Sequence, residues 1–564
     1  MNINILADNK QIISVEDYIK MCGVQDVEEY LRPTNKYIEN PYEHINMKEG
    51  VQLFKYHYLN NDKTYILCDS GDCDGITSTS ILYRYMKRLN YKWNIKIGIH
   101  TGKQRGLQDE DLLQDILDKD IKFVIIPDSG TNDKEQAEIL KEHGISLLVL
   151  DHHELTTPIE YGTLVNNQVG DVDHYGSGCA ETFMFLRALD IEFNHKWAND
   201  YIDLVGLSTI SDSMNITSQQ NRKYIEFGLF RYNNIKNGLL LELFNEQLED
   251  GYSQKDIAFK IVPLINSVCR SDNQQLKQDM ILGFIGKYKG EYSELVELMK
   301  KQHSHQTYVV NKYVNKYFEY KDMPEDEYEE CTDAILDTND CPFNIYIAND
   351  LPRSYSGLIA MKLCSKNGKP TIVAKDKGGK CIGSCRSLVE CREWLNDNEY
   401  VDFANGHSLA FGIGLQSENL YDFLWSLNTF KSSSEPCIDV LQSYTIKYLP
   451  KRLFGLYDQY NELWGHGMSN PKFYINNINI DTKKDIQTLG KGNTVKINNS
   501  DISIMFFNIS DIDKERLMCY NKATLEVVGE LNVNEWNGRK YPQIIVDKFE
   551  IKEYNNDISL EDLL

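Results

Sequence analysis

With 564 residues, 41% of them hydrophobic, the chain is too long for one hydrophobic core and too apolar to be disordered, so two or three domains are expected. No apolar run approaches the roughly 20 residues that cross a bilayer, the opening MNINILADNKQ has no basic segment ahead of an apolar block, and thirteen cysteines lack zinc-type pairing; these features point away from export and membranes, toward a cytoplasmic protein with reduced thiols. A formal net charge of −24 excludes a broadly basic nucleic-acid binder but not a narrow basic channel, and carboxylates that hold divalent metals add to the same count.

In chain order, residues 1–50 read as an N-terminal helical extension. Within 51–218, short β-branched runs alternate with amphipathic segments, the pattern of a parallel sheet with crossover helices. The first strand is Tyr65 to Cys68, and the helix after it runs from Ile76 to Leu89, with Ile81, Leu82, Tyr85 and Leu89 facing the sheet. FVIIPDSG follows, then a helix with Asn132 as N-cap, Glu135 at the capping-box position and Gly144 as terminator, then SLLVLDHHE. That is a β-α-β unit, and ligands of such sheets bind beyond the carboxyl ends of the strands. Residues 219–335 read as a helical connector and 336–450 as a second α/β unit, through FNIYIAND, LIAMKLCSK and PTIVAKD. From 451 to 555, short alternating runs with Asn and Gly turns predict a small β-barrel, and 556–564 form an acidic tail.

Five clusters carry chemistry: CDSGDCDG (68 to 75), PDSG (127 to 130), LDHHE (150 to 154), TISDS (209 to 213), and GSCRS (383 to 387) paired with NGHSLAFG (405 to 412). The first four supply Asp69, Asp72, Asp74, Asp128, Asp151, His152, His153 and Asp212, each at or just after an apolar run. Carboxylates with imidazoles suit Mn²⁺ or Mg²⁺ better than a structural zinc, which would call for thiolates. Two such ions roughly 3.5 to 4 Å apart can activate a water and stabilise the leaving oxygen of a phosphodiester. Taken singly, an Asp after a strand is commonly a helix cap or turn residue. DSGDCDG resembles a calcium loop but lacks its downstream glutamate. Recurrence of acids after successive strands favours a metal site.

CDSGDCDG, PDSG, LDHHE and DLVGLSTISD resemble the four ordered motifs of the DHH phosphoesterase family, and GSCRS with NGHSLAFG resembles its associated second domain. GELNVNEWNGRKYPQIIVDKF is similar to the OB domain of the RecJ-like single-stranded-DNA-specific exonucleases, so the resemblance spans roughly residues 50 to 550. It implies an α/β protein made of a parallel-sheet DHH domain, a helical connector, a DHH-associated α/β domain and an OB-like β-barrel, with a phage or prophage origin in view. It implies two divalent cations, Mn²⁺ first and Mg²⁺ second, held by Asp72, Asp74, Asp128, His152 and Asp212, with Asp128 bridging. His153 would lie near the scissile phosphate, and Asp151 would support the histidines from behind. Arg386 and His407, with Ser384 and Gly406, would grip the substrate phosphate, a task that suits a bidentate guanidinium.

Two departures stand out. The family's first motif has three acids at alternate positions, whereas Ser70 stands at the first of them and the acid is one place earlier; either a bulge restores Asp69 as a ligand or that acid is lost. The doubled glycine before the second-domain histidine is Asn405-Gly406.

DNA contact is expected from Phe473, Tyr474, Phe506, Phe507 and Tyr541 by stacking, unless they fill the barrel core, and from Trp536, Arg539 and Lys540 around the turn Asn537-Gly538. Lys103 and Arg105, in the loop TGKQRG, would steer phosphates or else lie in a solvated loop. The expected function is 5′ to 3′ hydrolysis of single-stranded DNA by two metal ions in repair, recombination or replication, with single-stranded DNA as partner and a single-stranded-DNA-binding protein or helicase beside it. The rivals are a phosphodiesterase of short oligonucleotides or cyclic dinucleotides, a pyrophosphatase, and a catalytically inactive RecJ-like replication scaffold.

Overall fold

The computed structural model describes residues 1–100, 105–231, 234–321, 334–335, 341–431, 437–490, 494–536 and 539–555. Two compact units emerge: Glu16–Ser304 with Tyr460–Ser469, and Met1–Val15 with His305–Gln459 and Asn470–Leu564. Both are discontinuous in sequence.

The first unit is built on a five-stranded parallel sheet of β1 (Thr64–Cys68), β2 (Ile95–Ile99), β3 (Phe123–Pro127), β4 (Ser146–Asp151) and β5 (Thr163–Asn166), in the order β2-β1-β3-β4-β5. Every residue of β1 and β3 is buried, because a central parallel strand is covered on both faces. Helices α1 (Cys73–Leu89), α2 (Glu110–Asp118), α3 (Lys134–Glu142), α4 (Gly178–Phe193) and α5 (Ile202–Ser211) complete it. Tyr65 and Leu67 of β1, with Val124 and Ile126 of β3, form one core with Leu113 and Ile116 of α2 and Leu140 of α3. Burial of each such side chain stabilises the fold by about 1.5–3 kcal/mol.

Helix α1 is buried along its polar stretch Thr77 to Ser80. Its hydroxyls donate back into the helix, Thr77 to the Cys73 carbonyl at 2.9 Å and Ser78 to the Asp74 carbonyl at 2.7 Å, so this face tolerates burial. Helix α3 differs from expectation at its start. Its N-cap is Asp133, not Asn132, and neither side chain caps it. The Asn132 side chain instead accepts from the Thr156 and Thr157 amides, and Asp133 accepts from Leu107 and Gln108, so tertiary partners have outcompeted the local cap. Gly144 (φ +65) ends the helix as expected. Helices between Gln219–Ile225 and Gln274–Phe284 belong to this same unit.

In the second unit, β6 (Asn344–Ile347), β7 (Thr371–Asp376), β8 (Lys380–Arg386), β9 (Phe403–His407) and β10 (Ala410–Gln416), with the short strand Ala334–Ile335, form a six-stranded mixed sheet around helix α6 (Ser356–Asn367). A seven-stranded, mostly antiparallel sheet follows: β11 (Gln442–Thr445), β12 (Lys472–Asp481), β13 (Ile486–Leu489), β14 (Thr494–Asn499), β15 (Ile502–Phe507), β16 (Lys522–Trp536) and β17 (Arg539–Asn555), in the order β11-β12-β16-β17-β15-β14-β13. The opening residues are not wholly helical. Ile3–Ile5 is a strand paired in parallel with Ile438–Val440, a long-range contact that local periodicity does not encode. Among the described residues the cysteines are free thiols, and no helix is long and apolar enough to cross a membrane.

Candidate metal centre

Strand β1 ends at Cys68, and the next four residues turn into α1. The turn is tight: a Cβ on Gly75 would stand 1.9 Å from the Asp69 carbonyl oxygen, so only glycine fits. Asp72 is the N-cap of α1, accepting from the Gly75 amide at 3.4 Å. One residue into the helix, Asp74 is buried, and the two oxygens of its carboxylate accept from the Gly178 and Cys179 amides at 2.8 Å each, the N-terminus of α4. A helix N-terminus stabilises such a charge through its unpaired amides and its dipole. The Ser208 hydroxyl of α5 donates to the same carboxylate.

Asp128 follows β3 in a left-handed conformation (φ +66), its amide tied to the Leu150 carbonyl at 2.8 Å. Asp212 is the C-cap of α5. It therefore ends a helix: the apolar run ahead of it belongs to α5 and not to one of the successive strands. These elements converge on His152, whose Nε2 lies 3.3 Å from Asp128 Oδ1, 3.5 Å from Asp212 Oδ2 and 3.8 Å from Asp74 Oδ2. Asp74, His152 and Asp212 thus present one donor atom each within a single cation's reach, as do Asp128, Asp151, His152 and His153.

Electrostatics explain what such a cluster wants. Asp128 is 1% exposed and neither of its oxygens has a hydrogen-bond partner. Burial, then the charges of Asp74, Asp72, Asp69 and Asp212, push its carboxyl well above the usual range. Burial and the charges of Asp74 and Asp72 do the same to Asp212. Burial and the charge of His153 hold His152 below its ordinary value, so its imidazole is neutral and keeps a lone pair to offer. Buried carboxylates that repel one another beside a neutral imidazole must take up protons or cations, and hard oxygen donors with one nitrogen fit divalent cations.

Asp151 plays another part. Its Oδ1 accepts from the His152 amide at 2.8 Å and from His153 Nδ1 at 2.7 Å, and its Oδ2 accepts from the Thr131 amide and hydroxyl at 3.1 and 2.6 Å. Burial works against its ionisation, but the charge and hydrogen bond of His153 outweigh it and hold this carboxyl far below the usual range. The same pair raises His153: burial lowers it, but the charge and hydrogen bond of Asp151 carry it to about 9. A protonated imidazole, 37% exposed, therefore stands beside the donors.

Arg105 joins its Nη2 to Asp72 Oδ2 at 2.8 Å and brings Nη1 to 3.6 Å from Asp69 Oδ2. Burial opposes ionisation of Asp72, yet Arg105, with Arg270 contributing, holds it below the usual range. Asp69 does not gather with the donors around His152; its Oδ1 accepts from the Gly71 amide at 3.0 Å, while Ser70 donates to the His100 carbonyl. Lys103 lies outside the described residues. Gly178, Cys179, Ser208, Thr131 and Arg270 were given no role in the sequence reading. Ser177 ahead of an apolar run is a legible N-cap, but nothing in the text reveals that its helix points at Asp74.

In the second unit, Arg386 ends β8 and His407 ends β9, and both pair in register with Ala410 of β10. Arg386 Nη1 donates to the Cys385 carbonyl at 2.7 Å, and Ser384 shares a 2.9 Å hydrogen bond with Ser356. A Cβ on Gly357 would meet Arg386 Nη2 at 2.7 Å, so glycine there makes room for the guanidinium. Gly406 carries the positive φ (+136), and Asn405 does not need one, which is why the single glycine suffices. Of the aromatics read as either stacking platforms or barrel core, Phe473 and Phe506 are core residues, because inward alternation along their strands buries them; Phe507 and Tyr541 are exposed. Arg539 and Lys540 are exposed at the start of β17, opposite Glu535 and Trp536. Of Trp536 only the backbone is described, and Asn537, Gly538 and the tail 556–564 lie outside the described residues.

Residues 63–209 match the model of the DHH family, N-terminal domain, and residues 446–548 that of the RecJ OB domain. Over 98% of its length the chain is 28% identical to 98% of a Bacillus subtilis (strain 168) protein named as the SPbeta prophage-derived single-strand DNA-specific exonuclease YorK. The fold matches a crystal structure of RecJ in complex with Mn²⁺ from Thermus thermophilus with a TM-score of 0.73 at 19% identity, over 93% of this chain and 74% of that one. The Mg²⁺ complex of the same protein gives 0.67 at 18%, over 93% and 73%.

Proposed function

We propose that this chain, which carries a DHH-family N-terminal domain and a RecJ OB domain, is a metal-dependent exonuclease that removes mononucleotides from the 5′ end of single-stranded DNA. The observation that carries the reading is Asp128: a buried acid without a hydrogen-bond partner, ringed by acids and held at a neutral imidazole. Asp74, Asp128, His152 and Asp212 would hold divalent cations, joined by Asp72 once its carboxylate turns from Arg105, and Mn²⁺ is the favoured ion. Bound there, such cations supply Lewis acidity toward a phosphodiester and a water at neutral pH.

The protein's own groups do the remainder. Asp151 fixes both histidines through their amides and the His153 ring. His153, protonated up to about pH 9, offers its Nε2 hydrogen to a phosphate oxygen or the departing sugar oxygen. Arg105, already among carboxylates, is placed to exchange them for a phosphate. Arg386, Ser384, Gly406 and His407 are assigned to a phosphate of the substrate strand, and Arg539, Lys540 and Trp536 to the trailing backbone and bases. The sixfold partition anticipated from sequence, a cytoplasmic location, a role in repair, recombination or replication, and a single-stranded-DNA-binding protein or helicase as partner belong to the same proposal.

The test is purified protein with Mn²⁺ or Mg²⁺ on single-stranded DNA labelled at either end, beside the same sequence as RNA and as duplex. Mononucleotides released from the 5′ end of DNA only, and none in chelator, are expected. No cation-dependent hydrolysis by folded protein would overturn the reading, and cleavage restricted to di- and trinucleotides would reassign it to a short-oligonucleotide phosphodiesterase.

A further inference from the structure

A polar cavity lies within the first unit, apart from the metal-centre carboxylates. It has a volume of about 590 Å³ and is lined by Arg84, Lys87, Arg88, Lys236 and Lys287 with Asp200 as its acid. Arg84, Lys87 and Arg88 occupy the C-terminal half of α1, the helix whose other end carries Asp72 and Asp74. At 1.5 Å per residue, the twelve positions from Asp72 to Arg84 separate the two places by about 18 Å along the axis.

Charge compensation in the cavity is incomplete. Asp200 pairs with Arg88 at 2.7 Å and with Lys236. Arg84, Lys87 and Lys287 have no ion pair among the described residues. Lys87 donates to the Trp93 carbonyl at 2.6 Å and Lys287 to the Tyr83 hydroxyl at 2.5 Å, both neutral oxygens. The Nη1 of Arg84 is buried without a hydrogen-bond partner, and its guanidinium lies 5.0 Å from the Tyr201 ring centroid. Lys87 and Lys287 also face one ring, that of Tyr83, at 5.8 and 4.9 Å. Burial first, and then the charge of Lys287, hold Lys87 below its ordinary value. The charge of buried Asp203 reaches Arg84, yet in a chain of net charge −24 a concave surface whose five cations outnumber Asp200 and Asp203 is an exception that an oxyanion would relieve. A volume of this size holds a nucleotide rather than a bare ion.

We propose that this cavity is a second binding site for the phosphate groups of a nucleotide ligand, distinct from the metal centre. The phosphates would lie between Arg84, Lys87 and Lys287, with Tyr83 and Tyr201 as apolar walls. Their source is either a free nucleotide or the backbone of a single strand running past the unit.

The full chain, held in chelator so that the carboxylate site repels anions, is titrated with dAMP, dATP and a twelve-nucleotide oligothymidylate, the last followed by fluorescence anisotropy. In the variant carrying Lys87→Gln and Lys287→Gln, affinity for at least one of these falls on the order of tenfold with unchanged circular dichroism. Asp200→Asn, which releases Arg88 and Lys236, acts in the opposite direction and tightens the same ligand. Loss confined to dATP or dAMP identifies a free nucleotide, and loss confined to the oligonucleotide identifies a strand backbone. Wild-type protein that binds none of the three, or affinities that neither variant changes, would overturn the proposal.

Discussion

Asp128 sits in the left-handed region of backbone space, where a non-glycine residue costs about 1–2 kcal/mol, and it also buries a carboxylate among four others. Both penalties fall on the ion-free protein, and the second is relieved by a proton or a cation. Asp128→Asn removes the charge while keeping the shape. Its thermal midpoint without metal is therefore expected to equal or exceed the wild type's, while the Mn²⁺-induced rise, about 2.7 kcal/mol at a hundredfold excess over Kd for the wild type, disappears. Differential scanning calorimetry with and without Mn²⁺ checks this. Gly178→Ala approaches the same residue from outside: its Cβ would stand 2.2 Å from Asp128 Oδ1 and 2.6 Å from the Asp128 Cβ. Helicity should persist, because alanine favours a helix, whereas cation affinity measured by calorimetry should fall by roughly tenfold or more. Asp128, Asp151 and His152 were legible in the sequence because each follows an apolar run that is a buried parallel strand. Asp212 was legible as an acid but not as a helix end, since α5 is buried on every side and its text, LVGLSTIS, has the uniform apolar look of a central strand. Gly178 was invisible, far along the chain from the Asp74 carboxylate its amide holds.

Helix α4 ties the metal centre to the outer shell of the unit. One turn beyond the amides that hold Asp74, Glu181 pairs with His44 Nδ1 at 2.9 Å, and His44 Nε2 lies 3.3 Å from Glu39. Burial pulls the His44 imidazolium down, but its close contact with Glu181, its hydrogen bond to Glu39 and the charges of both acids overcome this and raise it to about 10. A group raised on folding stabilises the fold fully below its unfolded value near 6.5 and loses that contribution as pH climbs through the folded one. Stability should therefore decline between about pH 6.5 and 10, and His44→Gln should flatten that decline, starting from a lower midpoint at pH 6. Thermal unfolding across this range reads both effects, and a wild-type curve parallel to that of the variant would contradict the assignment. This triad escaped the sequence reading because its members come from distant segments. By contrast, β1, β3, β4 and the Gly144 stop were within reach of periodicity and capping rules. Where local chemistry was misread, at Asn132, partners from a different loop had claimed the side chain.

For the whole molecule the acidic surplus governs how a polyanion is met. A strand bound by exposed Arg539 and Lys540 releases counterions at about 0.7 per phosphate contact, so the double change Arg539→Ala, Lys540→Ala should reduce the slope of log affinity against log salt by roughly 1.4. Titrations from low to moderate salt measure it, and an unaltered slope would remove both residues from the interface. The C-terminal β texture followed from alternation, whereas the discontinuity of the two units rests on pairings such as Ile3–Ile5 with Ile438–Val440 that no local pattern encodes.

That division has a consequence for biosynthesis. The unit bearing the aspartates recruits Tyr460–Ser469, through bonds such as the Ile216 amide to the His466 carbonyl, and the other unit takes in Met1–Val15. No single cut, at 304 or elsewhere, yields two self-sufficient fragments. On the ribosome, the opening fifteen residues must wait unpaired through some four hundred more, and neither unit closes until translation has passed residue 470. Slow or interrupted synthesis should leave both halves vulnerable to proteases at once.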